Sequence, residues 1–228
     1  DRTTLPNFRF DFLSSLRHHL LREDLYGDLN NLNVNQEDRW QPYQNTSGEL
    51  KELMDGDWYR RTALKLDPKT TKTETHPYID FIIPIKMYVD KTGCVANERF
   101  SLEPVMFSTA VLKNQFNQNS SSYFLLGYIT DPGNVSSAKK AKANSTKEGR
   151  GRSLRDYHAC LKVLLEPLYT AQQERPLLDV RIGNQVQRVR PYLPMAIVLG
   201  DGLSNDTLAG RVIYSAGTLC LSRPCFLL

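Results

Sequence analysis

The chain lacks long apolar runs: none of its 228 residues form an uninterrupted apolar stretch approaching about 18 residues, the length that a membrane-spanning helix needs. With a mean hydropathy of −0.44, we expect no transmembrane helix. The first residues, Asp1-Arg2-Thr3-Thr4, have no Met and no basic-then-apolar pattern, so they predict neither a signal peptide nor a native start. The 40% of apolar residues is enough to bury one sizeable core.

Cysteine is also scarce, with 4 residues at the widely separated positions Cys94, Cys160, Cys220 and Cys225. A chain of this size does not need disulfides, so the scatter favours free thiols in a reducing compartment. The sequence has no nucleophile elbow, no phosphate-binding glycine loop and no His-Glu-x-x-His string, which leaves an unrelated hydrolase with little support. The net charge is only +4, so nucleic-acid binding must be inferred from where the charge lies.

The N-terminal part, residues 1–75, is predicted to be a helical segment that precedes the core. Apolar spacing predicts one amphipathic helix over residues 8–22, with Asn7 as its cap. Residues 24–44 are rich in Asn, Asp and Gly and predict a loop. A second helical stretch covers residues 48–66, with a break at Asp55-Gly56 and an end at Asp67-Pro68.

Residues 76–228 are predicted to form the core. The near-continuous apolar run over 78–89 is typical of a strand buried on both faces, and Pro84 predicts that the strand begins or bulges there. The same kinds of pattern predict strands over 102–112, 123–129 and 194–200. They also predict a loop over 131–151 and a helix over 154–173 with a kink or early end at Pro167. A hairpin over 177–192 is predicted to turn at Gly183-Asn184, and a turn leads into a helix over 202–211.

Two aspartates stand at the ends of predicted strands. Asp90 directly follows the first apolar run, and Asp201 directly follows the run over 194–200. Such carboxylates lie where open sheets bind ligands, and a pair from neighbouring strands can hold divalent cations that act on a phosphodiester. The alternative is that both aspartates cap turns before Gly93 and Gly202.

One stretch concentrates positive charge. A loop there can follow a phosphate backbone by counterion release, but a nuclear-import signal or a plain solvated loop fits equally well. Its basic residues are Lys139, Lys140, Lys142, Lys147, Arg150 and Arg152.

Five strings, in this order, resemble the core of Plavaka-type transposases, which are relatives of the CACTA transposases. The resemblance covers residues 79–225, and residues 10–59 resemble the region that precedes that core. The strings are Tyr88-Val-Asp-Lys-Thr-Gly93, Leu102-Glu-Pro-Val105, Leu126-Gly-Tyr-Ile129, Leu154-Arg-Asp-Tyr-His158 and Gly200-Asp-Gly-Leu-Ser-Asn-Asp-Thr-Leu-Ala-Gly-Arg211.

The resemblance implies an α/β, ribonuclease-H-like mixed sheet with flanking helices, with the first catalytic aspartate on the first strand and the second after the fourth. Asp90 takes the first role and Asp201 the second, with Asp206 as a competitor. It also implies Mg²⁺ or Mn²⁺ as cofactor, DNA as partner, a nuclear location and a possible homo-oligomer. The third acidic residue would lie beyond Leu228, so we expect either a transposase core or a catalytically incomplete relic that binds nucleic acid or protein.

The family's segment after the second aspartate usually carries a closely spaced cysteine pair. Cys220 and Cys225 stand there with four residues between them, whereas zinc normally takes four ligands, often at two-residue spacing. They supply half a zinc knuckle at most. His158 and Cys160 are the other candidates, but their apolar helical surroundings favour core packing or a hydrogen bond.

Overall fold

The computed structural model describes residues 9–89, 92–93, 101–117, 119–130 and 147–200. Within them lie two mixed sheets with flanking helices, so the predicted α/β class is confirmed. The helices are α1 (Phe12–Leu20), α2 (Glu23–Tyr26), α3 (Asp57–Leu66), α4 (Asn114–Asn117) and α5 (Lys147–Glu174). The strands are β1 (Ile79–Ile82), β2 (Ile85–Val89), β3 (Thr92–Gly93), β4 (Ser101–Thr109), β5 (Phe124–Thr130), β6 (Leu178–Ile182), β7 (Gln185–Tyr192) and β8 (Met195–Leu199).

Helices α1 and α3 form close to where the sequence predicts them, whereas α2 forms at the start of the stretch predicted to be a loop over 24–44. The Asp11 side chain caps α1 by accepting a hydrogen bond from a first-turn N–H, while the expected cap Asn7 lies outside the described residues. The predicted break in the second stretch is confirmed at Gly56, which separates a 3₁₀ turn from α3. The predicted end is confirmed at Asp67, whose left-handed φ of 42° closes the helix before Pro68.

The apolar run over 78–89 forms two strands, because Ile83-Pro84 separates β1 from β2. Leu193-Pro194 separates β7 from β8 in the same way, and β1 pairs in parallel with β7 as β2 does with β8. Hydrogen bonds cross the break: Ile83 N–H donates to the Tyr192 carbonyl and Ile85 N–H to the Pro194 carbonyl, both at 2.8 Å. The two segments therefore form one long parallel pair.

This parallel pair joins two sheets. The first has the strand order β1-β7-β6 and contains the predicted hairpin, which turns at Gly183 with a left-handed φ of 63°. The second has the order β3-β4-β2-β8, and β5 pairs with β4. Strand β4 is antiparallel to both β2 and β5.

Side-chain alternation gives the joined strands two faces. We call the face that carries Ile85, Met87 and Val89 the inner face, because these residues belong to the main core together with buried residues of α1 and α5. The outer face carries Lys86 and Tyr88 on the same strand. A second, smaller core on the outer face packs Ile82, Ala110, Met54 and Tyr59 together, beneath α3 and the preceding 3₁₀ turn.

The N-terminal segment packs on the same core as the strands. The rings of Phe12 and Phe107 lie 4.8 Å apart, and the Tyr26 hydroxyl is 2.8 Å from the Thr109 hydroxyl. The boundary at residue 75 stays a prediction. Among the described residues, no helix has the length and apolarity to cross a membrane.

Helix α5 differs from its prediction at its start and in its middle. It begins at Lys147, so the loop predicted over 147–151 is wrong, and it continues through Pro167 instead of ending there. An interior proline costs about 3 kcal/mol. Leu164, Leu168 and Ala171, which are buried in the main core on both sides of the proline, hold the helix on the inner face and outweigh this cost.

Lys86 is one of the two buried side chains, with His19, that have a polar atom without a hydrogen-bond partner among the described residues. Its side chain is only 3% exposed, and its Nζ has no hydrogen-bond partner among the described residues. Burial lowers the pKa of Lys86 to about 8, although Glu52 favours the charged form. Below that pH, the folded protein must hold an unpaired charge on its outer face.

Replacing Lys86 by Met should therefore stabilise the protein in a pH-dependent way. The pKa falls from 10.5 to about 8 on folding, so at pH 7 we expect Lys86→Met to raise the free energy of unfolding by about 2–3 kcal/mol. The gain should shrink as the pH rises from about 8 to about 10.5. Urea unfolding at several pH values measures it, with Lys72→Met as an exposed control. A gain that does not depend on pH would contradict the assignment.

Candidate active site

The strands that lead to Asp90 and Asp201 are neighbours in the larger sheet. Strands β2 and β8 are parallel and hydrogen-bonded, so their C-terminal ends lie at the same edge of the sheet. Asp90, Asp201 and Asp206 themselves lie outside the described residues. What the structure describes is the pair of strands that ends directly before Asp90 and one residue before Asp201.

The register between these strands bears directly on the two aspartates. In three successive pairs, the residue on β8 stands 111 positions after its partner on β2. Asp90 and Asp201 are also 111 positions apart. The three pairs are Lys86 with Ile197, Met87 with Val198, and Tyr88 with Leu199.

A β-bulge produces this register. The preceding pair, Ile85 with Met195, is only 110 positions apart, and the register shifts directly after it. Ala196 is thus the extra residue on β8. The bulge also changes which side chains face inward, since Met195 and Val198 both pack against the main core although they are three positions apart. After the bulge, Ile197 lies on the outer face beside Lys86.

On its other side, β2 keeps one register with β4. Val89 pairs with Val105, and Thr92 on β3 pairs with Leu102. Two residues separate these pairs on each strand, so the antiparallel register is the same before and after residues 90–91. At the edge of the candidate site, β2 is therefore hydrogen-bonded to β4 on one side and to β8 on the other.

Helix α5 runs across the inner face in the opposite direction to β2 and β8. Near its start, the Tyr157 hydroxyl donates to Oε1 of Glu103 at 3.3 Å, and Glu103 precedes Val105, the partner of the last residue of β2. Near its end, Gln172 donates to the Leu193 carbonyl at 2.6 Å. Tyr157, the eleventh residue of α5, consequently lies level with the edge where β2 and β8 end, and the ten residues before it span about 15 Å of helix.

Three of the predicted basic residues are among these ten. Lys147, Arg150 and Arg152 occupy the first turns of α5, and only their backbone is described. The other three, Lys139, Lys140 and Lys142, lie outside the described residues. Arg152, the nearest of the three on α5, precedes Tyr157 by five residues, or about 7.5 Å along the helix axis.

The chemistry of the described edge is that of a carboxylate and a neutral phenol. Burial, followed by the charge and hydrogen bond of Glu103, raises the pKa of Tyr157 above its usual range. Tyr157 therefore stays protonated and donates a hydrogen bond to Glu103. No group of three or more His, Cys, Asp or Glu side chains in the described ranges is arranged to hold a metal ion.

Two of the four zinc candidates, His158 and Cys160, are among the described residues. Cys220 and Cys225 lie outside the described residues. Cys160 packs against the main core, as its surroundings predict, and burial raises the pKa of its thiol. His158 is exposed on the same helix.

Sequence reasoning missed a buried carboxylate on β1. Asp80 is 2% exposed, and its Oδ1 accepts from Arg175 Nη2 at 2.7 Å and from Arg190 Nε at 3.0 Å. Its Oδ2 accepts from the Lys69 N–H at 3.0 Å. Although burial opposes ionisation, the hydrogen bonds from Lys69 and Arg190 and the charge of Arg175 lower the pKa of Asp80. The sequence did carry a signal for Asp80, because it is a charged residue inside the apolar run over 78–89. Lys86 is a second charged residue in the same run.

Comparison with protein families gives one match. A family model described as Plavaka transposase matches residues 18–205. No curated protein and no solved structure matches significantly. The matched range contains Asp90 and Asp201, and Asp206 lies one residue beyond it.

The contact between α5 and Glu103 can be tested by removing one hydroxyl group. We expect Tyr157→Phe to lower the free energy of unfolding by about 1 kcal/mol, because Glu103 loses a donor in a half-buried site. Tyr169→Phe is the matched control, since Tyr169 is on the same helix and 64% exposed. Urea denaturation of both variants measures the difference, and equal stability would show that the contact does not anchor the helix.

Proposed function

Since the chain belongs to the Plavaka transposase family, its function is transposase-derived, and we propose that it acts on DNA by metal-dependent cleavage or strand transfer at phosphodiester bonds. In this proposal Asp90 and Asp201 hold the metal ion. The register of β2 with β8 is the observation that carries the assignment.

If the parallel register continues for two more residues, Asp90 and Asp201 stand side by side. Residues paired on neighbouring strands are about 4.8 Å apart. Alternation from Tyr88 and Leu199, which share the outer face, would place both carboxylates on that face. Two aspartates at this spacing can share one divalent cation, whereas two turn caps would have no reason to be level.

Strand order supports a ribonuclease-H-like sheet. In chain order, and apart from the short β3, the larger sheet consists of β2, β4, β5 and β8, with β8 parallel to β2 and beside it. The family resemblance implies the first aspartate on the first strand and the second after the fourth. Asp90 after β2 and Asp201 after β8 fit that order, with the β6–β7 hairpin inserted between α5 and β8.

The donor set fits Mg²⁺ or Mn²⁺. Both ions take carboxylate oxygens and keep several waters, and an ion bound there would activate water and neutralise the leaving oxygen of a phosphodiester. The residues of this chain hold the ion and present it at the sheet edge. The basic positions on the first turns of α5 suit a polyanionic substrate, and a DNA substrate implies a nuclear location.

A disulfide test examines the geometry without using activity. In a background where the four native cysteines are replaced by Ser, oxidation should join Asp90→Cys to Asp201→Cys, because paired positions on neighbouring strands lie within the Cα separation of about 4.4–6.8 Å that a disulfide requires. Non-reducing electrophoresis and mass spectrometry detect the bond. Asp90→Cys with Asp206→Cys is the control; cross-linking of this pair alone would move the second role to Asp206.

The chemistry is tested with the isosteric variants Asp90→Asn and Asp201→Asn. We expect each to lose Mn²⁺-dependent nicking of plasmid DNA and to bind Mn²⁺ more weakly by over about tenfold, as measured by calorimetry. Asp57→Asn, an exposed change on α3, should retain both properties. Cleavage by the two variants at the unaltered rate would refute the assignment. If the wild-type chain binds DNA but neither binds Mn²⁺ nor cleaves DNA, it is instead a binding module.

A further inference from the structure

The outer face carries an arginine cluster at the opposite end of the long parallel pair from the candidate active site. Asp80 and Arg190 are cross-strand partners on β1 and β7. Arg175 follows the end of α5, adopts a left-handed φ of 47°, and places its guanidinium 3.5 Å from the centre of the Tyr192 ring. Both guanidiniums therefore meet at the single carboxylate of Asp80.

The cluster has more positive charge than its carboxylate neutralises. Oδ1 of Asp80 already accepts from both arginines, and Oδ2 accepts from the Lys69 N–H. Two guanidiniums thus share one negative charge, and the remaining neighbour of Arg190 is the His76 ring, at 2.9 Å. One uncompensated positive charge is left even when that ring is neutral.

Both arginines also have donors to spare. A guanidinium carries five N–H groups, and Nη1 of Arg175 and Nη1 of Arg190 have no hydrogen-bond partner among the described residues. Neither atom is among the buried unpartnered atoms, and the side chains are 19% and 35% exposed. Two fixed guanidiniums with free N–H groups at the surface suit one anionic oxygen group.

The neighbouring surface is open and carries a third arginine. Arg188 follows on the same face of β7, is 61% exposed, and pairs with Asp179 on β6. Val186, also on this face, is 50% exposed. A long, charged ligand could therefore reach Arg188 and the Asp80 cluster together.

We propose that Arg175 and Arg190, held side by side by Asp80, bind a backbone phosphate of DNA outside the candidate active site. This rests on the proposed function in taking DNA as the substrate. Arginine suits the contact because the free Nη1 of each guanidinium can donate a charge-assisted hydrogen bond to a phosphate oxygen. Ten residues of nearly extended chain separate Asp80 from Asp90, or about 30 Å, so the cluster would contact the duplex about nine base pairs from the bond that is cut.

Fluorescence anisotropy with the full chain and a labelled duplex tests the proposal, in EDTA so that cleavage plays no part. We expect Arg190→Gln and Arg175→Gln each to raise Kd about fivefold and to lower the slope of log Kd against log salt by about one. Arg190→Lys keeps the charge and should restore most of the affinity. Arg17→Gln, an exposed change on α1, makes the same change in net charge and should leave Kd unaltered.

A variant that does not disturb Asp80 covers the possibility that Arg190→Gln fails to fold. Asp179→Asn releases Arg188 from its exposed ion pair and should tighten binding about twofold. The proposal is overturned if the duplex does not bind, if folded arginine variants bind like the wild type, or if Arg17→Gln weakens binding equally. If the wild type shows no Mn²⁺-dependent cleavage while this binding is intact, the active-site assignment is refuted and the phosphate site stands.

Discussion

The parallel pairing of two proline-interrupted segments is the constraint on which the rest of the structure depends. Pro84 and Pro194 remove two ladder donors at the same level, but the Ile85 N–H still donates to the Pro194 carbonyl and the Ala110 N–H to the Pro84 carbonyl. The ladder therefore crosses the break with its backbone groups satisfied. Because alternation also continues through the break, the hairpin sheet and the larger sheet share one inner face and form one core with buried residues of α1 and α5.

The bulge at Ala196 adds a second constraint on the same pair. A one-residue change of register transfers every later side chain to the other face of a sheet, so the bulge decides which residues of β8 accompany Lys86 and Tyr88 on the outer face. This one residue gives β2 and β8 the 111-position register that also separates Asp90 from Asp201 in the sequence. Bulges commonly stand beside active sites because they redirect a strand that packing otherwise holds.

The two buried charged residues of the outer face, Asp80 and Lys86, differ in whether they have hydrogen-bond partners. Asp80 accepts hydrogen bonds at both oxygens, so its charge is retained at modest cost. Lys86 is buried just as deeply but has no partner for its Nζ among the described residues, and an unpaired buried ammonium is expensive. The inner face, by contrast, is packed with apolar side chains. Among the described residues, the buried charged side chains of Asp80 and Lys86 both lie on the outer face, which also carries the arginine cluster.

The sequence by itself determined the local features: the break at Gly56, the turn at Gly183-Asn184, the interrupted strand at Pro84 and the family resemblance. These follow from residue-level rules, since proline and glycine act on their own backbone and alternation needs only neighbours along the chain. Only the tertiary structure decided the rest. The passage of α5 through Pro167 and the meeting of Arg175 with Asp80 depend on residues distant in sequence, and the bulge at Ala196 exists only because β8 pairs with β2. No local rule reports a register between two strands 111 residues apart, because that register is set by packing against a shared core.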